Sequence, residues 1–175
     1  MAITRKGEVR RTALLEAVVR VLEREGPTGV THRAVAAEAG VPLAAATYYF
    51  ANLDDLLVSA LTLATQQQVA LIAGLGAWDI PGVARLLFDV THGNRAAAIA
   101  QYELLFLAMR RDSLRPAADL WYRTLEDAVN QRVSDPRAAR VIALAIDGLL
   151  LRMLWTGEPS TQESIEASLR DILRA

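Results

Sequence analysis

Apolar residues recur three and four positions apart along almost the whole chain, and no stretch alternates apolar with polar as a half-buried strand would. That pattern restricts the chain to an all-α fold. Gly, Pro and capping residues divide it into helices over about 9–25, 31–39, 42–50, 52–74, 81–92, 95–111, 112–133, 136–156 and from 160 onward. Nine helices joined by short connections, with no internal repeat, are therefore expected. Gly26-Pro27 stops the first, Gly40 closes the second, and Ser134-Asp135-Pro136 caps and opens the eighth.

A fold of this kind needs a core, and 53% hydrophobic residues in 175 supply one. With no cysteine, the chain has no disulfide, no thiolate metal site and no cysteine nucleophile. The first eight residues are polar where a signal peptide would begin its apolar run, which predicts a cytoplasmic protein. The longest uncharged stretch, Leu56 to Trp78, is long enough to raise the question of a membrane. Ser59, Thr62, Thr65 and three adjacent glutamines inside it answer against one, since those groups would need partners in lipid.

Charge is distributed unevenly. Residues 1–53 carry seven Lys/Arg and five Glu, a net of +2, whereas the remainder carries −3. Arg5, Lys6, Arg10 and Arg11 stand against a single Glu in the first eleven residues. A basic head on a mildly acidic body suits a chain that presents one end to phosphate; ordinary solvated charge gives the same count.

Residues 31–50 are the informative stretch. Two short helices flank Ala39-Gly40-Val41, where Gly permits a tight turn, and together form a helix-turn-helix. On the second helix Ala46 and Phe50 point inward, leaving Leu43, Ala45, Thr47, Tyr48 and Tyr49 outside. Small and amphipathic side chains suit close approach to base edges and phosphates in a major groove.

The pattern Thr31-x-Arg33-x-Val-Ala36-x-x-Ala39-Gly40-Val41, then Tyr48-Tyr49-Phe50-x-x-Leu-Asp-Asp-Leu56, resembles the N-terminal signature of TetR-family transcriptional regulators. It covers about residues 9–57. The resemblance implies a three-helix DNA-binding domain over 1–53 and a helical ligand-binding and dimerisation bundle over 54–175. It implies that Thr31, Arg33 and the adjacent His32 meet phosphate or a flanking base. Leu43, Ala45, Thr47 and Tyr48 would read bases and backbone, with Tyr49 on the phosphate side. The family usually has Gly then Ser or Thr where this chain has Ala44-Ala45, and Lys where it has Leu53. Two backbone contacts are thus missing, and Arg5, Lys6, Arg10 and Arg11 are placed to compensate.

The second half carries a different signal. From 136 to 156 the chain is apolar almost all round, which predicts burial on every side and, in so small a chain, cover by a second copy. Ala138, Val141, Ile142, Ala145, Gly148, Leu149 and Arg152 are the expected dimer contacts. Larger polar-capable side chains gather between Pro81 and Val133, among them Gln101 and Glu103. His92, Tyr102, Phe106, Met109, Arg110, Trp121 and Tyr122 there, with Asp147 beyond, are candidates to line a small-molecule effector pocket. Any one of them serves equally well as helix packing.

An enzyme is not indicated. The two histidines lie on different modules, and there is no phosphate-binding Gly loop, catalytic residue set, metal cluster or cofactor motif. The expected partners are double-stranded operator DNA, an effector and a second copy, with no membrane. The alternative is a helical small-molecule-binding or adaptor protein whose helix-turn-helix is degenerate.

Overall fold

The computed structural model describes residues 4–73, 75, 79–157 and 160–174. Among these are nine α-helices, three single 3₁₀ turns and no strand. The helices are α1 (Arg5–Glu25), α2 (His32–Glu38), α3 (Leu43–Tyr49), α4 (Leu53–Ala73), α5 (Ile80–His92), α6 (Arg95–Phe106), α7 (Arg115–Asn130), α8 (Pro136–Thr156) and α9 (Gln162–Arg174). Of the break expected at 74–81, Gly74, Gly76, Ala77 and Trp78 lie outside the described residues. No described helix is long and apolar enough to cross a membrane.

Two boundaries differ from the sequence pattern for definite reasons. The apolar periodicity starts α1 at Val9, but Thr4 caps it, its hydroxyl accepting from the Gly7 N–H at 3.2 Å. Arg5, Lys6 and Arg10 therefore belong to helical turns and do not form an irregular arm. The helix expected over 95–111 stops at Phe106. The chain then makes 3₁₀ turns at Leu107–Met109 and Asp112–Leu114 before Arg115 opens α7.

The chain packs as two compact units: Met1–Gln66 with Ile99–Asp119, and Gln67–Ala98 with Leu120–Ala175. In the first, Leu14, Val18, Val21 and Leu22 of α1 are buried with Val35 of α2, Ala46 and Phe50 of α3, and Leu56, Leu57 and Leu61 of α4. Arg11 is drawn into this packing, its Nη2 donating to Ser59 Oγ at 3.1 Å and its guanidinium lying 5.2 Å from the Phe50 ring centre. Asp54, in the first turn of α4, accepts from Arg111 and from Ser113 Oγ, the latter at 2.9 Å. The hydroxyl first, then the guanidinium, hold its carboxyl below the usual range. The connection after α6 is thereby tied to the start of the helix that follows the helix-turn-helix.

The second unit is built around Val83, Ala84 and Leu87 of α5, Val129 of α7, Ala139, Ala143 and Ile146 of α8, and Ile165 and Leu169 of α9. Gly157 in the left-handed region ends α8, its N–H reaching the Met153 carbonyl at 3.2 Å. Arg95 Nη2 donates to the Leu154 carbonyl at 2.6 Å, satisfying a second acceptor in that last turn.

Candidate nucleic-acid interface

The turn between α2 and α3 is specified by backbone geometry. Gly40 has φ +67°, its N–H donates to Ala37 O at 3.1 Å, and the Val41 N–H donates to Ala36 O at 3.0 Å. This paired closure is a Schellman motif, which needs the left-handed residue that Gly supplies without strain. Pro42, extended at ψ 145°, then starts α3. The pair is braced from behind: Glu38 on α2 accepts from Arg24 Nη1 at 2.6 Å and from Arg20 Nε at 2.8 Å. Those two cations, Arg24 foremost, hold the Glu38 carboxyl below its usual range.

α3 buries Ala46 alone among its seven residues. Its outward face is Leu43, Ala44, Thr47 and Tyr48, with Tyr48 75% exposed and Leu43 42%. Ala45 and Tyr49 are half-buried at its flank, and the Tyr49 ring meets Tyr48 edge to face at 5.1 Å. The sequence reading places Ala45 outward and passes over Ala44. The helical repeat puts 44 and 48 on one line and 45 and 49 on the next, so Ala44 is the exposed methyl. Thr47 Oγ1 lies 3.3 Å from the Ala44 carbonyl and 3.4 Å from that of Leu43, a weak return bond that leaves its oxygen and methyl outward.

On α2, Thr31 caps the helix by accepting from the Ala34 N–H at 3.1 Å, so its hydroxyl proton stays available to donate. Arg33 is exposed and makes no ion pair among the described residues. His32 is half-buried, its Nε2 enclosed and without a partner, so the ring turns inward beside its two outward neighbours. Arg5, Lys6 and Arg10 are exposed, whereas Arg11 is committed to Ser59 and Phe50. The outward surface of this head is thus uncharged and small along α3 with free guanidinium and ammonium groups on α1 and α2. Such a surface can sit against base edges while cations meet phosphate.

The remaining candidates are more scattered. In the first unit Tyr102 is buried and lies 5.8 Å from Phe106, which is partly exposed; Met109 and Arg110 are exposed. In the second unit His92 is exposed and stacks on Phe88 at 4.1 Å, and Trp121 is buried. Burial first, then the charge of half-buried Asp147, raise the Tyr122 hydroxyl above its usual value. None of these eight lines a described cavity. Glu103, one of the polar-capable side chains of this stretch though not among the eight expected pocket residues, is half-buried with no partner among the described residues, and burial raises its carboxyl above the usual range. No group of three His, Asp or Glu among the described residues could hold a metal.

α8 presents Val141, Leu144, Gly148, Arg152 and Trp155 outward at spacings of three and four. Val141, Leu144 and Trp155 are 65, 56 and 85% exposed. Ala138 and Ala145 are half-buried beside this stripe. Ile142 and Leu149, expected on it, are packed against the core of their own unit instead. The all-round apolar pattern predicts burial on all sides; within its own unit, among the described residues, α8 is covered on one face only.

Comparison with known proteins agrees with both halves of this description. Residues 14–60 match the model of bacterial regulatory proteins of the tetR family, and residues 80–175 match that of the tetracyclin repressor-like C-terminal domain. The multidrug binding protein EbrR, solved with imidazole, is 36% identical and superimposes with a TM-score of 0.79, over 93% of this chain and 94% of that one. A TetR-family member from Streptomyces coelicolor A3, also 36% identical, gives 0.82 over 93% and 97%. The nicotine-responsive transcriptional repressor HdnoR of Paenarthrobacter nicotinovorans is 26% identical over 86% of each chain. The adaptor alternative finds no favour among these relatives. With a matched reading head and a matched C-terminal domain, the chain belongs to the TetR family and is a DNA-binding transcriptional regulator.

Proposed function

We propose that the chain is an effector-responsive repressor that binds a near-palindromic operator as a homodimer. In this reading residues 1–53 read DNA, and 54–175 receive the effector and pair the two copies. The observation that carries it is the exposed, uncharged face of α3 on a head whose Arg33, Arg5, Lys6 and Arg10 are unneutralised. Leu43, Ala44, Thr47 and Tyr48 meet base edges, and the cations with the Thr31 hydroxyl meet phosphate. A two-fold pair of heads then reads half-sites about one turn (~34–36 Å) apart. The open α8 stripe is the surface that a second copy covers.

The effector is an organic base. EbrR has been solved with ethidium, proflavin and malachite green, and HdnoR is nicotine-responsive. Glu103, half-buried and unpartnered, supplies the carboxylate that a cation would satisfy. Its helix continues into the connection that Arg111 and Ser113 fasten to Asp54, so a displacement of α6 reaches the first turn of α4 behind the reading helix. The effector must bind the DNA-incompetent arrangement better. A typical coupling of ~1–3 kcal/mol changes operator affinity roughly 5–150-fold, and operator weakens the effector by the same factor.

The test is titration of the full chain on DNA from its own upstream region, with and without malachite green. Saturable binding to one near-palindromic site, weakened by the dye, is expected. Affinity no better than for unrelated DNA at physiological salt would overturn the reading.

A further inference from the structure

The second unit carries a partly open, largely apolar cavity that the DNA-reading function does not use. It lies where α5, the end of α7, α8 and α9 meet, and measures about 80 Å³. Val83, Val129, Ile142, Ile146, Leu169 and Ile172 make most of its wall. Only two lining side chains are charged, Asp79 and Arg132. None of the expected effector residues reaches it, and neither does Glu103.

Two physical facts narrow its occupant. A water needs two to four polar partners, and these walls offer it almost none, so an apolar group is the better filling. An apolar cavity of ~150 Å³ takes a benzene ring, and this one is about half that size, so a branched aliphatic group of a few carbons matches it better than a ring. The head group follows from the two charges. Asp79 Oδ1 accepts from the Gly82 N–H at 2.7 Å and caps α5, so its charge faces the positive end of that helix. Arg132 is exposed and has no ion pair among the described residues, so its planar fork is available to a carboxylate.

We propose that this cavity binds a short branched aliphatic carboxylate, its hydrocarbon end among Val83, Ile146 and Leu169 and its carboxylate on Arg132. The site is separate from the organic-base effector and does not depend on DNA recognition.

The probes are isovalerate, 3-methylbutanol, 3-methylbutylamine and acetate, added to the full chain in calorimetry and thermal unfolding. Isovalerate should bind saturably and raise the melting temperature. The alcohol should bind about tenfold more weakly, and the amine and acetate not measurably. Arg132→Gln should bring isovalerate down to the level of the alcohol while leaving the alcohol unchanged. Val83→Phe, which fills the void, should abolish binding of both; if that variant fails to fold, Val83→Ile should weaken both. Arg33→Ala, which fails on DNA, should bind isovalerate like the parent, so the two proposals fail separately. Absence of saturable isovalerate binding, equal binding of acid and alcohol, or full retention in Arg132→Gln would each overturn the assignment.

Discussion

α3 and α8 both expose uncharged side chains that a lone chain has no use for, yet the two faces are built for different surfaces. The α3 face is two turns long and ends in a tyrosine hydroxyl, and cations stand on the neighbouring helices. The α8 stripe runs from Val141 to Trp155, wholly apolar except Arg152, with Gly148 at its middle. Exposed apolar surface alone says only that something covers it. The first face, small groups framed by positive charge, fits a polyanion with a groove. The second, long and apolar, is the one proposed to meet a copy of itself, since a two-fold axis sets the same patch against the same patch.

The strongest way to break this comparison is salt. If α3 meets a polyanion, a dimer touching six to ten phosphates should lose about 10³–10⁵ in operator affinity between 50 and 200 mM salt, read by fluorescence anisotropy. Arg33→Ala should weaken all sequences alike and flatten the slope, whereas Tyr48→Ala should change which sequences are preferred. A salt-independent affinity, or a Tyr48→Ala profile identical to the parent's, would remove α3 from the groove.

The second test concerns α8. Leu144→Glu places an unpaired charge in the proposed pair interface and should raise the dimer dissociation constant by about 10²-fold or more, while each chain stays folded. Gly148→Leu sharpens the point: a Cβ at Gly148 meets nothing within 4 Å in the single chain, so loss of the dimer would come from the partner's approach alone. Sedimentation showing parent and variants all monomeric at micromolar concentration would leave α8 needing another explanation.

Smaller effects separate effector from structure. Glu103→Gln should weaken malachite green about tenfold without altering operator affinity in its absence. Burial raises the Glu103 carboxyl, so it stays protonated to higher pH than usual. Without dye this group's contribution to stability falls as pH climbs from the ordinary carboxylate value to the raised one. Dye binding should strengthen across the same window. A pH-independent dye affinity would dismiss Glu103 as its partner.

The smallest expected change is Glu38→Gln. The Glu38 carboxyl is held low by Arg24 and Arg20, so its contribution is present above the ordinary carboxylate value and lost as pH falls through the folded one. The variant should melt slightly lower at neutral pH and match the parent in acid. Exposed pairs contribute little, so a large drop would mean that the α1–α2 brace matters more than its exposure suggests.

The same contrast explains what could be read from residues alone. Helix count and class were legible because burial on a helix repeats at 3.6 residues, and the motif around Gly40 because a left-handed turn accepts few residues. Arg11 looked like one more basic contact, and no local pattern reveals that Ser59 and Phe50, some forty residues on, claim it. Ala44 and Ala45 differ only by a 100° rotation, which identical side chains cannot betray. The break after Phe106 was illegible too, since Leu107-Ala108-Met109 continues a good helical pattern while the chain tightens into 3₁₀ turns. Candidate effector residues were least legible: packing and binding use the same side chains, and burial without a partner among the described residues is what makes Glu103 the proposed one.

The turn at Gly40 has one last consequence, and it concerns handedness. A Cβ built there meets nothing within 4 Å, although φ is +67°. Crowding therefore does not exclude a side chain; the chirality of natural amino acids does, at roughly 1–2 kcal/mol for an L-residue in that region. A D-alanine introduced by chemical ligation has the opposite preference and should be accommodated. By narrowing the unfolded ensemble it should stabilise the head by about 0.4–1 kcal/mol, where L-alanine at the same position destabilises it. The reading head would then hold its two helices at the same angle through a mirror-image residue that no codon specifies.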